Sequence, residues 1–152
     1  MRTFTWCSQE VAEECQLNKP HTHICITSPD GRMITPKCGA TVLNMSFYDL
    51  DPEAIRRTDA FSKDPKGGQK FINGCFTEDQ AKRMVEFVKT TNEDALIIVN
   101  CEAGISRSPG VVVAFRRFNG QETESCFIKA HPNIYVTSML SRVLRREFEH
   151  LA

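Results

Sequence analysis

The sequence has no excess of charge: 19 lysines and arginines stand against 19 aspartates and glutamates. No global field therefore draws the chain to nucleic acid or to an anionic membrane, and neither partner is expected. Long hydrophobic runs are also missing. Ala95 to Val99 and Val111 to Phe115 are the longest, about five residues each against the ~20 of a spanning helix. The N-terminal stretch meets Gln9, Glu10, Glu13 and Glu14 too early for a secretory apolar segment, so a cytoplasmic location is expected. No Cys-x-x-Cys pair, internal repeat, low-complexity tract or linker occurs. The seven cysteines, at 7, 15, 25, 38, 75, 101 and 126, are an odd and sparse set that excludes a dense disulfide framework. Most are expected as small buried apolar side chains, which leaves at least one to be weighed as a nucleophile.

What remains is an ordinary globular mixture, 41% hydrophobic and 25% charged over 152 residues, enough for one domain with its own core, 1–152. Strands are predicted at 3–6, 21–27, 40–47 and 96–100. A helix capped by Ser8 is predicted through Leu17, with Val11, Ala12 and Cys15 on one face and a stop at Asn18 to Pro20. Thr77 and Gln80 form a capping box, followed by Ala81, Met84, Val85 and Val88 at helical spacing. Further helices are predicted at 108–118, 122–130 and 134–149, the last with Leu140, Val143, Leu144 and Phe148 on one stripe. The polar stretch from Tyr48 to Cys75, broken by Pro and Gly, reads as a long functional loop or as short helices whose places the pattern does not give. Strand and helix alternate. The expected fold is α/β: a single domain with a mostly parallel sheet of four to five strands and helices on both faces.

The informative stretch is Ile98-Val99-Asn100-Cys101-Glu102-Ala103-Gly104-Ile105-Ser106-Arg107-Ser108-Pro109. A buried strand ends, a thiol follows, five residues turn, and an arginine opens a helix. Ligands of open α/β sheets bind beyond the carboxyl ends of strands, where Cys101 stands. Amides of the loop 102–107 can converge on an anion, and the helix N-terminus adds roughly half a positive charge. Gly104 allows a tight cradle. Arg107 offers a planar fork to two phosphoryl oxygens. The same surroundings favour a thiolate over a thiol.

Cys101-x5-Arg107-Ser108, between an apolar strand and a helix, resembles the phosphate loop (101–107) of protein tyrosine and dual-specificity phosphatases. The string Cys101 to Pro109 is particularly similar to the small dual-specificity and the small bacterial or phage branches, the latter taken as the nearer. The resemblance runs from the strand at 40–47 to the C-terminal helices and implies a dual-specificity-phosphatase-like fold. It implies hydrolysis of phosphate monoesters on phosphoprotein, phosphotyrosine favoured with possible dual specificity, through a cysteinyl-phosphate intermediate. In that scheme Cys101 is the nucleophile. Glu102, Ala103, Gly104, Ile105, Ser106 and Arg107 hold the phosphate, and Ser108 steadies the leaving sulfur. The general acid is an aspartate. Asp49 fits the family's strand-then-aspartate segment, with Asp51 as the alternative and Asp59 and Asp64 behind them. Its distance along the chain from Cys101 exceeds that of typical members. Asn100 is a second departure, since the family usually has a histidine there that bonds the loop. No cofactor and no metal are implied, and a monomer is expected.

Two other function classes compete: a phosphate or phosphoprotein-binding module without turnover, and a thiol redox or arsenate-reducing enzyme. The latter places its loop near the N-terminus, unlike this chain. A low-pKa Cys101 is further expected to be sensitive to peroxide, with another cysteine to capture the oxidised form. His21, His23 and Cys25 alternate on one strand face and are zinc-ligand types without an obvious fourth partner. They read first as satisfied polar groups beside the sheet. Arg56, Arg57, Lys63, Lys66 and Lys70, against Asp59 and Asp64, read as a solvated basic loop. His131-Pro132-Asn133 reads as packing or capping before a helix.

Overall fold

A computed structural model of the chain describes residues 1–17, 21–36 and 40–149, with the side chains of 148 and 149 outside that description. The helix stop expected at Asn18 to Pro20 and the side chains of Cys38 and Phe148 therefore lie outside the described residues. Four strands, β1 (Thr3–Ser8), β2 (Thr22–Thr27), β3 (Thr41–Ser46) and β4 (Leu96–Cys101), form one sheet in the order β1-β4-β2-β3. Every pairing is parallel. The helices are α1 (Gln9–Glu13), α2 (Pro52–Arg56), α3 (Asp59–Lys63), α4 (Pro65–Asn73) and α5 (Glu78–Lys89). After β4 come α6 (Arg107–Phe118), α7 (Glu124–Lys129) and α8 (Ile134–Glu149).

Helices flank both faces of the sheet, but unequally. Strand alternation sends Phe4, Ile24, Ile26, Met45, Ile97 and Val99 to one face, into a core shared with α5, α6 and α8. Phe4 stacks on Phe115 at 4.7 Å between ring centroids, and Phe47 tilts on Phe76 at 4.5 Å. Each fully buried side chain of this kind contributes about 1.5–3 kcal/mol. The capping box of α5 is present, and its Ala81, Met84, Val85 and Val88 are buried as the spacing predicts.

The opposite face has a small cluster of Ala12, Cys25 and Ile34, joined by Cys7 and Val42. The helix expected from 8 to 17 is the five-residue α1, and it buries only Ala12 while Val11 is 59% exposed. One turn of helix presents one inward position. Glu14 then leaves helical geometry at φ −91°, ψ 3°, and Cys15 turns toward His21.

The polar stretch 48–75 contains three short helices. Asp51, Thr58 and Asp64 cap them, each accepting a backbone N–H, and Pro52 and Pro65 occupy first turns. None of the three buries a residue, because they pack on one another rather than on the sheet. A missing core stripe is why hydrophobic periodicity did not place them. The excursion is closed at its root: Tyr48 bridges Cys75 in parallel, and the Tyr48 N–H donates to the Gly74 carbonyl at 2.8 Å. Among the described residues no helix is long and apolar enough to cross a membrane.

Candidate active site

Cys101 ends β4 and Arg107 begins α6, so the five residues between them turn at the carboxyl edge of the sheet. Gly104 sits at φ +70°, and a Cβ there would lie 2.6 Å from the Ser8 nitrogen and 2.8 Å from the Cys7 carbonyl oxygen. The loop is thus pressed against the end of β1, where only glycine fits. Outside helices and strands, no backbone hydrogen bond among the described residues uses an N–H of 102–106 as donor. These amides remain available to an anion in front of the α6 N-terminus.

The Cys101 sulfur lies 3.2 Å from the Ser108 hydroxyl, and both residues are buried. Arg107 is 6% exposed and held from two strand ends. One terminal nitrogen donates to the Phe47 carbonyl at 2.9 Å and to the Ser28 hydroxyl at 3.0 Å. The other lies 3.8 Å from the Glu102 carboxylate. Glu102 in turn accepts the Ser28 N–H at 3.2 Å. The Ser28 N–H and hydroxyl, and then Arg107, hold the Glu102 carboxyl below its ordinary pKa. The turn after β2 and the end of β3 therefore aim the guanidinium. The motif contains neither.

Asp49 reaches this loop from 57 residues away: the Ser106 hydroxyl donates to its Oδ1 at 2.8 Å. The Asn133 amide donates to the same oxygen at 2.7 Å. Asn133 also caps α8 by accepting the Val136 N–H, and its own N–H donates to the Ser106 carbonyl. The expected capping role of this segment is present, with an aspartate-holding role that sequence reasoning missed. Asp51 is elsewhere occupied, since its carboxylate accepts the Glu53 N–H at the start of α2. Asp64 likewise caps α4. The Tyr48 bridge to Cys75 explains how Asp49 stays on the Ser106 end of the loop despite the long excursion between them.

Asn100 is fully buried on the thin face, between Cys7 of β1 and Cys25 of β2 in register. Neither amide atom has a hydrogen-bond partner among the described residues, so it does not bond the loop. Cys7 is pushed up to about 11 and Cys25 to about 12, mainly by burial. Burial also raises Cys75 and Cys126. These four thiols are poor nucleophiles at neutral pH. Cys25 does not join the two histidines with which it shares a strand face; Cys15 does. Burial, then the neighbouring His21, lowers His23 to about 4.

No family model and no curated protein matches the chain. Among solved structures it is similar to a variant of human DUSP28, at 19% identity over 98% of this chain and 93% of that one, with a TM-score of 0.49. It is also similar to a human tyrosine phosphatase-like serine/threonine/tyrosine-interacting protein, at 19% identity over 88% and 80%, with a TM-score of 0.40. At such distances the chemistry must be read from the residues themselves.

Proposed function

We propose that the chain is a cysteine phosphomonoesterase acting, as a monomer, on phosphoprotein, with phosphotyrosine favoured and dual specificity open to it. One observation supports this above the rest. A carboxylate distant in sequence is tied by Ser106 to the very loop that holds the buried thiol and the aimed arginine.

In the first step the Cys101 thiolate attacks phosphorus, the ester P–O bond breaks, and Asp49 gives its proton to the departing oxygen. The loop amides and the Arg107 edge not taken by Phe47 and Ser28 stabilise the equatorial oxygens. In the second step water attacks phosphorus and Asp49 takes its proton. The P–S bond breaks, and the Ser108 hydroxyl receives the returning thiolate. Ser106 and Asn133 both engage Oδ1, which leaves Oδ2 for the proton; they are positioning residues. The five residues between Cys101 and Arg107 hold no base and one acid, Glu102, which argues against polyphosphorylated lipid.

Hydrolysis of an aryl phosphate tests the reading. Cys101→Ser is expected to abolish turnover, and Asp49→Asn to lower kcat by about 10²–10⁴ and remove one limb of the pH profile. A second reading, binding without turnover, draws on Asn100, which gives the loop no hydrogen bond. Wild type and Cys101→Ser hydrolysing at the same background rate would favour it.

A further inference from the structure

Away from this site, three metal-ligand side chains converge where α1 gives way to β2. His21 and His23 stand two residues apart and are 7% and 0% exposed. Their Nε2 atoms are 3.0 Å apart, and the Cys15 sulfur lies 3.8 Å from Nε2 of His21. The ligand atoms of all three fall within 4.8 Å of one another.

We propose that Cys15, His21 and His23 form a structural site for a zinc-type divalent cation. Zinc binds imidazole nitrogen at about 2.0–2.1 Å and thiolate sulfur at about 2.3 Å. Tetrahedral angles then place two nitrogens about 3.3 Å apart and nitrogen about 3.6 Å from sulfur. The observed 3.0 and 3.8 Å straddle those values, and the third edge, Cys15 to His23, lies within 4.8 Å, so a movement of the Cys15 sulfur of about an ångström toward His23 admits the ion. The donor set of one soft sulfur and two imidazoles suits zinc, whereas magnesium and calcium prefer oxygen. A fourth donor, water included, completes the shell.

The competing arrangement is a plain imidazole–imidazole hydrogen bond beside a thiol. Converting one to the other is balanced. One imidazole moves its proton from Nε2 to Nδ1, the Cys15 thiol proton leaves to solvent, and both Nε2 lone pairs and the thiolate bind the ion. The position gives the ion a purpose. It fastens the chain leaving α1 to the start of β2, on the face whose apolar cluster is three buried residues. Metal sites of this kind contribute to folding directly.

The site is separate from Cys101, itself a possible thiolate ligand, so the test runs in a Cys101→Ser background and does not depend on phosphatase activity. That protein, dialysed against Zn²⁺ and then metal-free buffer, is expected to retain one zinc per chain. Its Co²⁺ form should show a thiolate-to-cobalt charge-transfer band. Adding Cys15→Ser should weaken retention at least tenfold and remove the band, and His21→Gln serves should Cys15→Ser not fold. Failure of the Cys101→Ser protein to retain zinc, or equal retention after Cys15→Ser, overturns the proposal.

Discussion

On the face covered by α5, α6 and α8, stability comes from interlocked hydrocarbon, with stacked phenyl rings and long buried stripes. Across the sheet the same strands present Cys7, His23, Cys25 and Asn100 to a five-residue helix and one isoleucine. The contrast shows how one sheet can divide its duties. The crowded side fixes the strand ends that aim Arg107. The thin side relies on polar and sulfur-bearing residues, whose contribution depends on finding partners.

Deleting hydrocarbon from the crowded face should have the largest effect. Leu140→Ala is expected to lower unfolding free energy by about 2–5 kcal/mol in urea, against about 1 kcal/mol for Cys25→Ala across the sheet. Equal losses would erase the contrast. Asn100→Leu should do the reverse and stabilise the protein by about 1 kcal/mol, since an unpartnered buried amide gives way to an apolar group of similar shape. A lower midpoint would mean that the amide is satisfied after all. The smallest effect belongs to Glu102, in the loop at the carboxyl edge of the sheet. Its carboxyl is held low by the Ser28 N–H and hydroxyl and then by Arg107. Its stabilisation is therefore complete above the ordinary carboxylate range near pH ~4.3 and is lost as pH falls through the lower folded value. The side chain is 47% exposed, so screening leaves only a few tenths of a kcal/mol. Stability curves of wild type and Glu102→Gln should converge as pH falls below about 4.

The strand, turn and helix from 96 to 118 were legible because each part is local: an apolar run, a small-residue turn, and Pro109 in the first helical turn. The capping box of α5 is local too. Asp49 was suggested by the resemblance of its segment to a family pattern of strand then aspartate, but its partners Ser106 and Asn133 depend on folding. Nothing near Ser28 or Phe47 in sequence announces that they grip Arg107. Strand parity put His21, His23 and Cys25 on one face correctly. Which sulfur approaches the imidazoles was decided by the exit of the chain from α1, a tertiary event.

The Tyr48–Cys75 bridge makes the segment between them a pendant whose two stems leave the domain at one point. Closing such a pendant costs little more as it lengthens, about 0.6 kcal/mol for each doubling. Its helices can therefore be trimmed, extended or recharged while the carboxylate at its base keeps its post.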